Sequence, residues 1–436
     1  MRTKDSRPSD TPGAPAVRPI LVGGDIGAYA TARAFHEAYG VSSVVLAGVQ
    51  VGAVAHSAIV DLRIRARLSN TDTLAQTILE VMAEQPDSTH LVLGSADWLV
   101  TAIVAVRDRL EDTGAVVPYP GAHLLEQVAD KSVLMAMAEE AGVPHPRTAR
   151  GVPAEEEPPG GDLDFPVVVK PASTAAAQDV DYPGKAKVHT VADAGHLRAL
   201  WHTMATAGVS VPMLVQEYID GPDSAMAAVN VFIDPGGRVR LAQFGQVLLE
   251  EHAPSAVGNS VAQLTGDPVG AQARAVAQVV NLLQAIGWRG FANADLKRSP
   301  DGHYQLLEIN PRVGRSGYAV TASGYNVAAM YGQAFLDLGP GRDERAGPVR
   351  QMTAQAGGGE PIPVATAQHL FAVVPWPVLR RYLPPPGRGQ VNRIRRSGAV
   401  TNPLYYRAER HPRRLLYVAM AMVNYARKLA RHHPGA

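Results

Sequence analysis

The chain has 436 residues, with 41 basic against 40 acidic side chains and no cysteine. A chain of this length exceeds what one small hydrophobic core serves, so two to four structural units are expected. Its near neutrality gives no global reason to expect a nucleic-acid partner, and the lack of cysteine excludes disulfides, thiolate catalysis and cysteine-based metal sites.

The two ends of the chain differ in composition from its middle. Residues 1–17 are polar and proline-rich, which predicts a disordered tail without the apolar run of a signal peptide. Twelve arginines and Lys428 follow from Arg380 onward, against the single acid Glu409. No run of about 18 apolar residues occurs, so no membrane span is expected. These features predict a cytoplasmic enzyme with a basic C-terminus.

The first elements alternate between strands and helices. Strands are predicted at 19–22, 42–47, 90–94 and 116–117, with helices at 29–39, 73–83 and 98–112 between them. This alternation predicts an α/β class with a small doubly wound parallel sheet. The turn at Gly23, Gly24 and Asp25 lacks the full glycine spacing of a dinucleotide-binding loop, which favours a structural turn or a substrate contact.

The middle of the chain predicts a second α/β unit. A helix containing Asp130 and Lys131 is followed by a helix that ends at Gly142, a loop rich in Pro, Glu and Gly, and a strand that ends in Lys170. Further strands are predicted at 211–219, 227–233, 239–248, 290–296 and 304–309, and further helices at 271–286 and 326–336.

The sequence Glu308-Ile309-Asn310-Pro311-Arg312 ends the last of these strands. Because side chains alternate along a strand, Glu308 and Asn310 are predicted to share one face, while Leu307 and Ile309 point into the protein. By itself the motif is more often a strand ending in an Asn-Pro turn. Asp295, 13 positions upstream, adds a carboxylate that could complete a Mg²⁺ site with these oxygens, beside an arginine that neutralises phosphate.

Three other features point to the same ligand. Lys131 and Lys170 could supply positive charge to a polyphosphate, although each alone is more often a solvated surface lysine. The strand at 214–219 runs into Asp220-Gly221-Pro222-Asp223, which suits a hinge that reads an adenine edge and an acid that receives ribose hydroxyls. Alone, this segment is a strand followed by a turn.

In this order, over residues 19–338, the elements resemble the ATP-grasp superfamily of carboxylate-amine ligases. The resemblance implies an ATP-grasp fold, ATP and two Mg²⁺ as cofactors, and a mobile loop at 173–187. It also implies a role for each matching residue. Lys131 and Lys170 would bind the nucleotide phosphates, Asp223 would bind the ribose, and the adenine hinge would be formed by Gln216, Glu217, Tyr218 and Ile219. Metal would be bound by Asp295, Glu308 and Asn310, and Arg312 and Lys297 would act in catalysis.

Residues 19–25 and 34–40, with the C-terminal segments 402–406 and 423–425, look more narrowly like the D-aspartate ligase group. That resemblance implies ATP-dependent amide formation through an acyl phosphate, between an amino acid such as D-aspartate and a peptide or small-molecule amine. The small-residue loop is not strongly glycine-rich here, and Asp295 stands where many relatives have glutamate. Substrate contacts are expected at Arg315, Ser316 and Gly317, with Asp25 and Arg33 as further candidates.

The predicted organisation is a tail at 1–17, an N-terminal domain at 18–120, an ATP-grasp domain at 121–345 with a lid at about 165–220, and a basic extension at 346–436. Two alternatives remain open at this level: a small-molecule kinase and a nucleotide-binding regulatory protein without turnover. The basic extension is expected to be a docked helix, a substrate-binding element or a peripheral contact with a membrane surface. A homodimer is compatible with all of these.

Overall fold

The computed structural model describes residues 17–173, 176–177, 180–254, 256–339, 341, 347–353 and 360–433. Residues 1–16 of the predicted tail and four positions of the predicted mobile loop lie outside this part of the chain. The described residues form three sheets, of five, four and nine strands.

The N-terminal sheet is parallel throughout, with the order β3-β2-β1-β4-β5. Its strands are β1 Val17–Val22, β2 Ser43–Ala47, β3 Val60–Ile64, β4 Thr89–Gly94 and β5 Ala115–Val116, and its helices are α1 Ile26–Tyr39, α2 Thr71–Ala83, α3 Asp97–Ala105 and α4 Arg107–Glu111. The predicted parallel sheet is confirmed. The helix expected at 98–112 is interrupted at Val106, whose φ and ψ of −115° and 14° leave the helical region. The edge strand β3 was not predicted, although Val60, Leu62 and Ile64 alternate with two charged residues; none of its residues is fully buried.

Two helices lead from this sheet to a four-stranded antiparallel sheet. These helices are α5 Ala122–Ala129 and α6 Lys131–Glu140, and Asp130 lies between them as the N-cap of α6 rather than inside a helix as predicted. Its carboxylate accepts from the backbone of Ser132 at 2.8 Å, which is why the chain turns there.

The four-stranded sheet has the order β6-β9-β7-β8 and carries α7 Ala194–Thr206. Its strands are β6 Thr148–Gly151, β7 Val167–Pro171, β8 His189–Val191 and β9 Met213–Glu217. The residues between its strands and α7 form a hydrophobic core separate from the main one. The lid predicted at about 165–220 omits β6, which belongs to this sheet because it pairs with β9.

The nine-stranded sheet is the centre of the molecule. The sequence-adjacent strands β10 Met226–Ile233, β11 Val239–Glu250, β12 Ser260–Thr265, β13 Gly290–Arg298 and β14 Tyr304–Asn310 form most of it, after a 3₁₀ turn at Asp223–Ala225. It is covered by α8 Ala271–Ala285, α9 Tyr318–Ala322 and α10 Val327–Phe335. Four short strands complete it: β15 Val349–Met352, β16 Ile362–Ala365, β17 His369–Ala372 and β18 Val400–Thr401. These strands come from the predicted extension, so residues on both sides of 345 share one sheet, and the proposed domain division stays a prediction.

The chain ends in three helices, α11 Trp376–Tyr382, α12 Pro385–Arg396 and α13 Pro412–His432. Helix α13 packs on the N-terminal unit through Arg414, which is fully buried, ion-pairs with Glu409 at 3.2 Å and donates to the carbonyl of Ala53 at 2.9 Å. The same guanidinium lies 3.9 Å from the ring centre of Tyr29. None of the helices in the described ranges is both long and apolar enough to cross a membrane.

Candidate active site

The predicted metal ligands converge on the hairpin of β13 and β14. Asp295 lies opposite Glu308 in the antiparallel register, and Asn293 lies opposite Asn310. The side-chain amide of Asn310 donates to the Asp295 carboxylate at 3.2 Å. A β-bulge after Asp295 shifts the alternation, so Leu307 is half-buried instead of pointing into the core as predicted. Two carboxylates and an amide therefore share one face of the hairpin.

The electrostatics of this group favour a bound cation. Burial, followed by the neighbouring Glu308 carboxylate, raises the pKa of Asp295 well above its ordinary value. Burial alone would raise the pKa of Glu308 as well, but the charges of Lys131, Lys170 and Lys187 outweigh it and lower that pKa. Because these adjacent, partly buried carboxylates oppose each other's ionisation, a divalent cation held by them would relieve the repulsion.

Both predicted phosphate-binding lysines lie close to this hairpin. Lys131 begins α6 and its ammonium is 3.5 Å from Glu308. Its backbone amide donates to the carbonyl of Ala172 at 3.0 Å, which ties the start of α6 to the end of β7. Lys170 lies on β7, and burial, followed by repulsion from Lys131, lowers its pKa to about 8.

A cavity of about 820 Å³ opens beside the hairpin. Its lining includes all three predicted metal ligands, Lys131, Arg312 and Arg315. The opposite wall comes from the N-terminal unit, where the half-exposed Trp98 faces the cavity beside Asp97. Arg312 spans the two walls, with its guanidinium ion-paired to Asp97 at 2.9 Å. The cavity therefore lies between the N-terminal unit and the central sheet.

The predicted adenine hinge lies at the end of β9. The backbone amides of Glu217 and Tyr218 donate to the carbonyls of Arg147 and Pro166. The Gln216 side chain is buried and donates to Thr148 at 2.7 Å, and Ile219 is also buried. Of the four predicted hinge residues, only Tyr218 has an exposed side chain. The Lys297 ammonium lies 5.0 Å from the centre of its ring.

Lys297 thus lies beside the hinge and does not line the cavity described above. Burial lowers the pKa of its ammonium, against the opposing charges of Glu250, Asp220 and Asp223.

The predicted ribose acid, Asp223, is surrounded by residues that were not predicted as part of the site. Its carboxylate accepts from the backbone amide of Glu250 at 2.8 Å and contacts His252 at 2.9 Å. His433, just after α13, approaches it at 3.8 Å. Burial, followed by the charge of Asp223, raises the pKa of Glu250 to about 7. The C-terminus therefore reaches the region assigned to the nucleotide.

Arg315 is held by two further residues that were not predicted as part of the site. Its guanidinium donates to the hydroxyl of Tyr425 on α13 at 2.8 Å and lies 3.6 Å from the buried carboxylate of Glu251. Glu251 also ion-pairs with Lys428 at 3.2 Å. No sequence pattern could have joined these residues, because their contacts depend on how α13 packs.

The remaining predicted substrate residues divide into two groups. Ser316 lines the cavity, and Gly317 packs so closely on Val313 that a Cβ would clash. Asp25 caps α1 by accepting from the Ala28 amide at 3.0 Å. Arg33 donates to the carbonyls of Asn402, Pro403 and Tyr405 and pairs with Glu37. The structure thus shows structural contacts for Asp25 and Arg33, and their role as substrate contacts stays a prediction.

Comparison with known proteins finds relatives by sequence and by structure. No protein-family model matches the chain. It is 30% identical over 320 residues to a D-aspartate ligase of Enterococcus faecium (strain Aus0004), covering 71% of this chain and 74% of that protein. It is 24% identical over 282 residues to a D-alanine–D-alanine ligase of Alcanivorax borkumensis, covering 59% and 84%.

Among solved structures, an L-amino acid ligase from Bacillus licheniformis is similar with a TM-score of 0.53 at 15% identity, over 74% of this chain and 75% of that one. An ADP complex of purK, an N5-carboxyaminoimidazole ribonucleotide synthetase, gives a TM-score of 0.56 at 14% identity, over 81% and 92%. At these identities the likeness concerns the fold.

Proposed function

Because the chain belongs, with D-aspartate ligase, to the ATP-grasp family of carboxylate-amine ligases, we propose that it joins D-aspartate or a similar acidic amino acid to an amine acceptor. The enzyme class is an ADP-forming ligase that uses ATP and Mg²⁺. The observation that carries the proposal is the meeting of Asp295, Glu308 and Asn310 with Lys131 at one wall of the cavity, near Arg315.

The donor set fits magnesium. Asp295, Glu308 and Asn310 offer hard oxygen atoms, and burial, followed by the charge of Glu308, raises the pKa of Asp295. When bound, Mg²⁺ would neutralise the charge on the phosphates during transfer. The proposal assigns it to these three residues and assigns the nucleotide phosphates to Lys131 and Lys170.

In the proposed reaction the substrate carboxylate takes the γ-phosphoryl group of ATP and becomes an acyl phosphate, with ADP as the leaving group. The amine then attacks the acyl carbon, phosphate leaves, and the amine gives up a proton as the amide forms. The protein supplies no covalent nucleophile. Its residues position the reactants and neutralise charge. The proposal assigns the charge of the transferred phosphoryl group to Arg312, which lines the cavity.

The cavity also favours an acidic substrate. Its lining carries Lys131, Lys185, Lys187, Arg312 and Arg315, while its carboxylates are Asp97 and the two proposed metal ligands. Once a metal is bound, the surplus of positive charge matches a nucleotide together with a dicarboxylate. Lys187 also donates to the carbonyl of Val257 at 2.9 Å, which joins the lid to the loop between β11 and β12.

The test is phosphate release from ATP and Mg²⁺ with D-aspartate, L-aspartate, D-alanine and other amino acids, each with and without a pool of amines. We expect release that requires both a carboxylate and an amine, with the amide mass in the product. Glu308→Gln should reduce release at least about 100-fold, whereas the surface change Asp267→Asn should not. A stable phosphorylated product would indicate a kinase instead, and nucleotide binding without turnover on any pair would indicate a regulatory protein.

A further inference from the structure

The outer face of α13 carries an apolar stripe that stays largely exposed to solvent. Leu416 and Met420 also border a groove of about 290 Å³ that they share with Gly52 and His56 of the N-terminal unit. Leu416, Met420 and Val423 recur at helical spacing on this face and keep 61%, 62% and 50% of their surface exposed. Leu415, at 50%, lies beside them. Single exposed aliphatic residues are ordinary, but a row of them along one helix face marks an interaction surface.

The charge around this stripe has one sign. Helix α13 contains no acidic residue, and Arg413, Arg427 and Arg431 are exposed beside the stripe or at its end. The single acid after residue 380, Glu409, is buried against Arg414 and adds no negative charge to the surface. A partner of this face therefore has to be negatively charged and has to accept aliphatic side chains.

The inner face of the same helix is fixed to the body. Arg414 and Tyr425 contact the N-terminal unit and the candidate active site, and Lys428 pairs with the buried Glu251. Because these contacts fix the rotation of the helix, the apolar stripe cannot turn inward. It is presented to solvent as a preformed surface.

We propose that this outer face docks on an anionic lipid bilayer, with the aliphatic stripe in the interfacial region and the arginines on headgroup phosphates. Nucleic acid fits less well, because both tyrosines of α13 are half-buried and leave no ring to stack on bases. A second copy of the chain also fits less well, because a two-fold pairing of this face would bring its arginines together. The proposal does not depend on which substrates the enzyme joins.

Docking in this way would set the active site close to the lipid surface. Tyr425 faces inward from the helix whose outer side meets the bilayer, and it contacts Arg315 at the cavity. A substrate carried by a membrane-bound molecule would then need to extend only past one helix to reach the site.

The test is flotation of the full-length protein with vesicles of phosphatidylglycerol and phosphatidylcholine, compared with vesicles of phosphatidylcholine alone. We expect binding to the anionic vesicles that weakens in high salt. Leu416→Glu with Met420→Glu should reduce it at least about tenfold, as should Arg427→Glu with Arg431→Glu. Val269→Glu, at a 68% exposed valine away from α13, is the matched control and should bind like the unmodified protein.

Three results would overturn the proposal. The first is no binding to anionic vesicles. The second is that the stripe variant binds anionic vesicles as well as the unmodified protein does, and that both are retained equally on duplex DNA. The face would then bind polyanions in general through its arginines, without a role for the aliphatic stripe. The third is a dimer by light scattering that the stripe variant converts to a monomer without any vesicle binding, which would assign the face to a second copy. Circular dichroism melting of each variant shows that it is folded.

Discussion

Replacing Glu409 with glutamine should destabilise the protein strongly, because it leaves a buried arginine without its counter-charge. The Glu409 carboxylate accepts from Tyr29 at 3.0 Å, Ser57 at 2.6 Å and the Ala58 amide at 2.9 Å. Arg414 lies 3.2 Å from the same carboxylate and forms an ion pair with it, and the side chains of Glu409 and Arg414 are 2% and 0% exposed. Glutamine keeps the shape, but it places an amide donor where the carboxylate accepts from Ala58, and it removes the negative charge.

Breaking a buried ion pair by removing one partner costs about 3–5 kcal/mol, and the complete burial of Arg414 places this case in that range. The free energy of unfolding in urea, followed by both fluorescence and circular dichroism, measures it. Asp267→Asn is the matched control, because Asp267 pairs with Arg350 at 2.7 Å but is 45% exposed, so its loss should cost less than about 1 kcal/mol. A loss for Glu409→Gln no larger than that of the control would refute the reasoning.

Three further predictions concern the site and the surface. The pKa of Lys170 is about 8, so its charge is lost as pH rises through 8; MgATP affinity by calorimetry should fall above pH 8 by at most about tenfold per pH unit, and Lys170→Arg should flatten this dependence. Tyr425→Phe removes a hydrogen bond to Arg315 and should raise the KM for the carboxylate substrate about three- to tenfold; an equal rise in the KM for ATP would contradict the assignment. Hydrogen bonds from Arg63, followed by Arg18, lower the pKa of Glu84 to about 2. This stabilisation is present above the unfolded pKa of about 4.3 and is lost as pH falls towards 2. Because Glu84 is 40% exposed, Glu84→Gln should cost about 1 kcal/mol or less at pH 7, and urea unfolding should show that this cost has disappeared near pH 2.

The centre of the candidate site was predictable because it is local. Asp295, Glu308 and Asn310 belong to one hairpin, whose alternating pattern and Ser-Pro-Asp-Gly turn at 299–302 fix the register. The same reasoning failed at Leu307, since nothing in the sequence marks the β-bulge that rotates it. Local periodicity also identified most of the N-terminal sheet. The alternation of apolar and charged residues in β3 was a usable signal that the prediction overlooked.

The surroundings of the site could not be predicted because they depend on long-range packing. Glu251 meets Lys428 across 177 positions of the chain, and Asp223 meets His433 across a still longer interval. The strands that complete the central sheet after residue 345 have only two to four residues each, too few to show an alternating pattern. The buried Arg414 looks like its exposed neighbour Arg413 until the helix is docked.

The contact of Glu409 and Arg414 with the N-terminal unit bears on how the protein is made. Tyr29 lies 380 positions before Glu409, so the ribosome must add those residues before the partner exists. At about 5–20 residues per second this takes roughly 20–80 s. Throughout that interval the groups around Ala53, Ser57 and Tyr29 are left open on the nascent chain. The emerging N-terminal unit is therefore expected to need chaperone protection, and truncated chains that stop before α13 should aggregate.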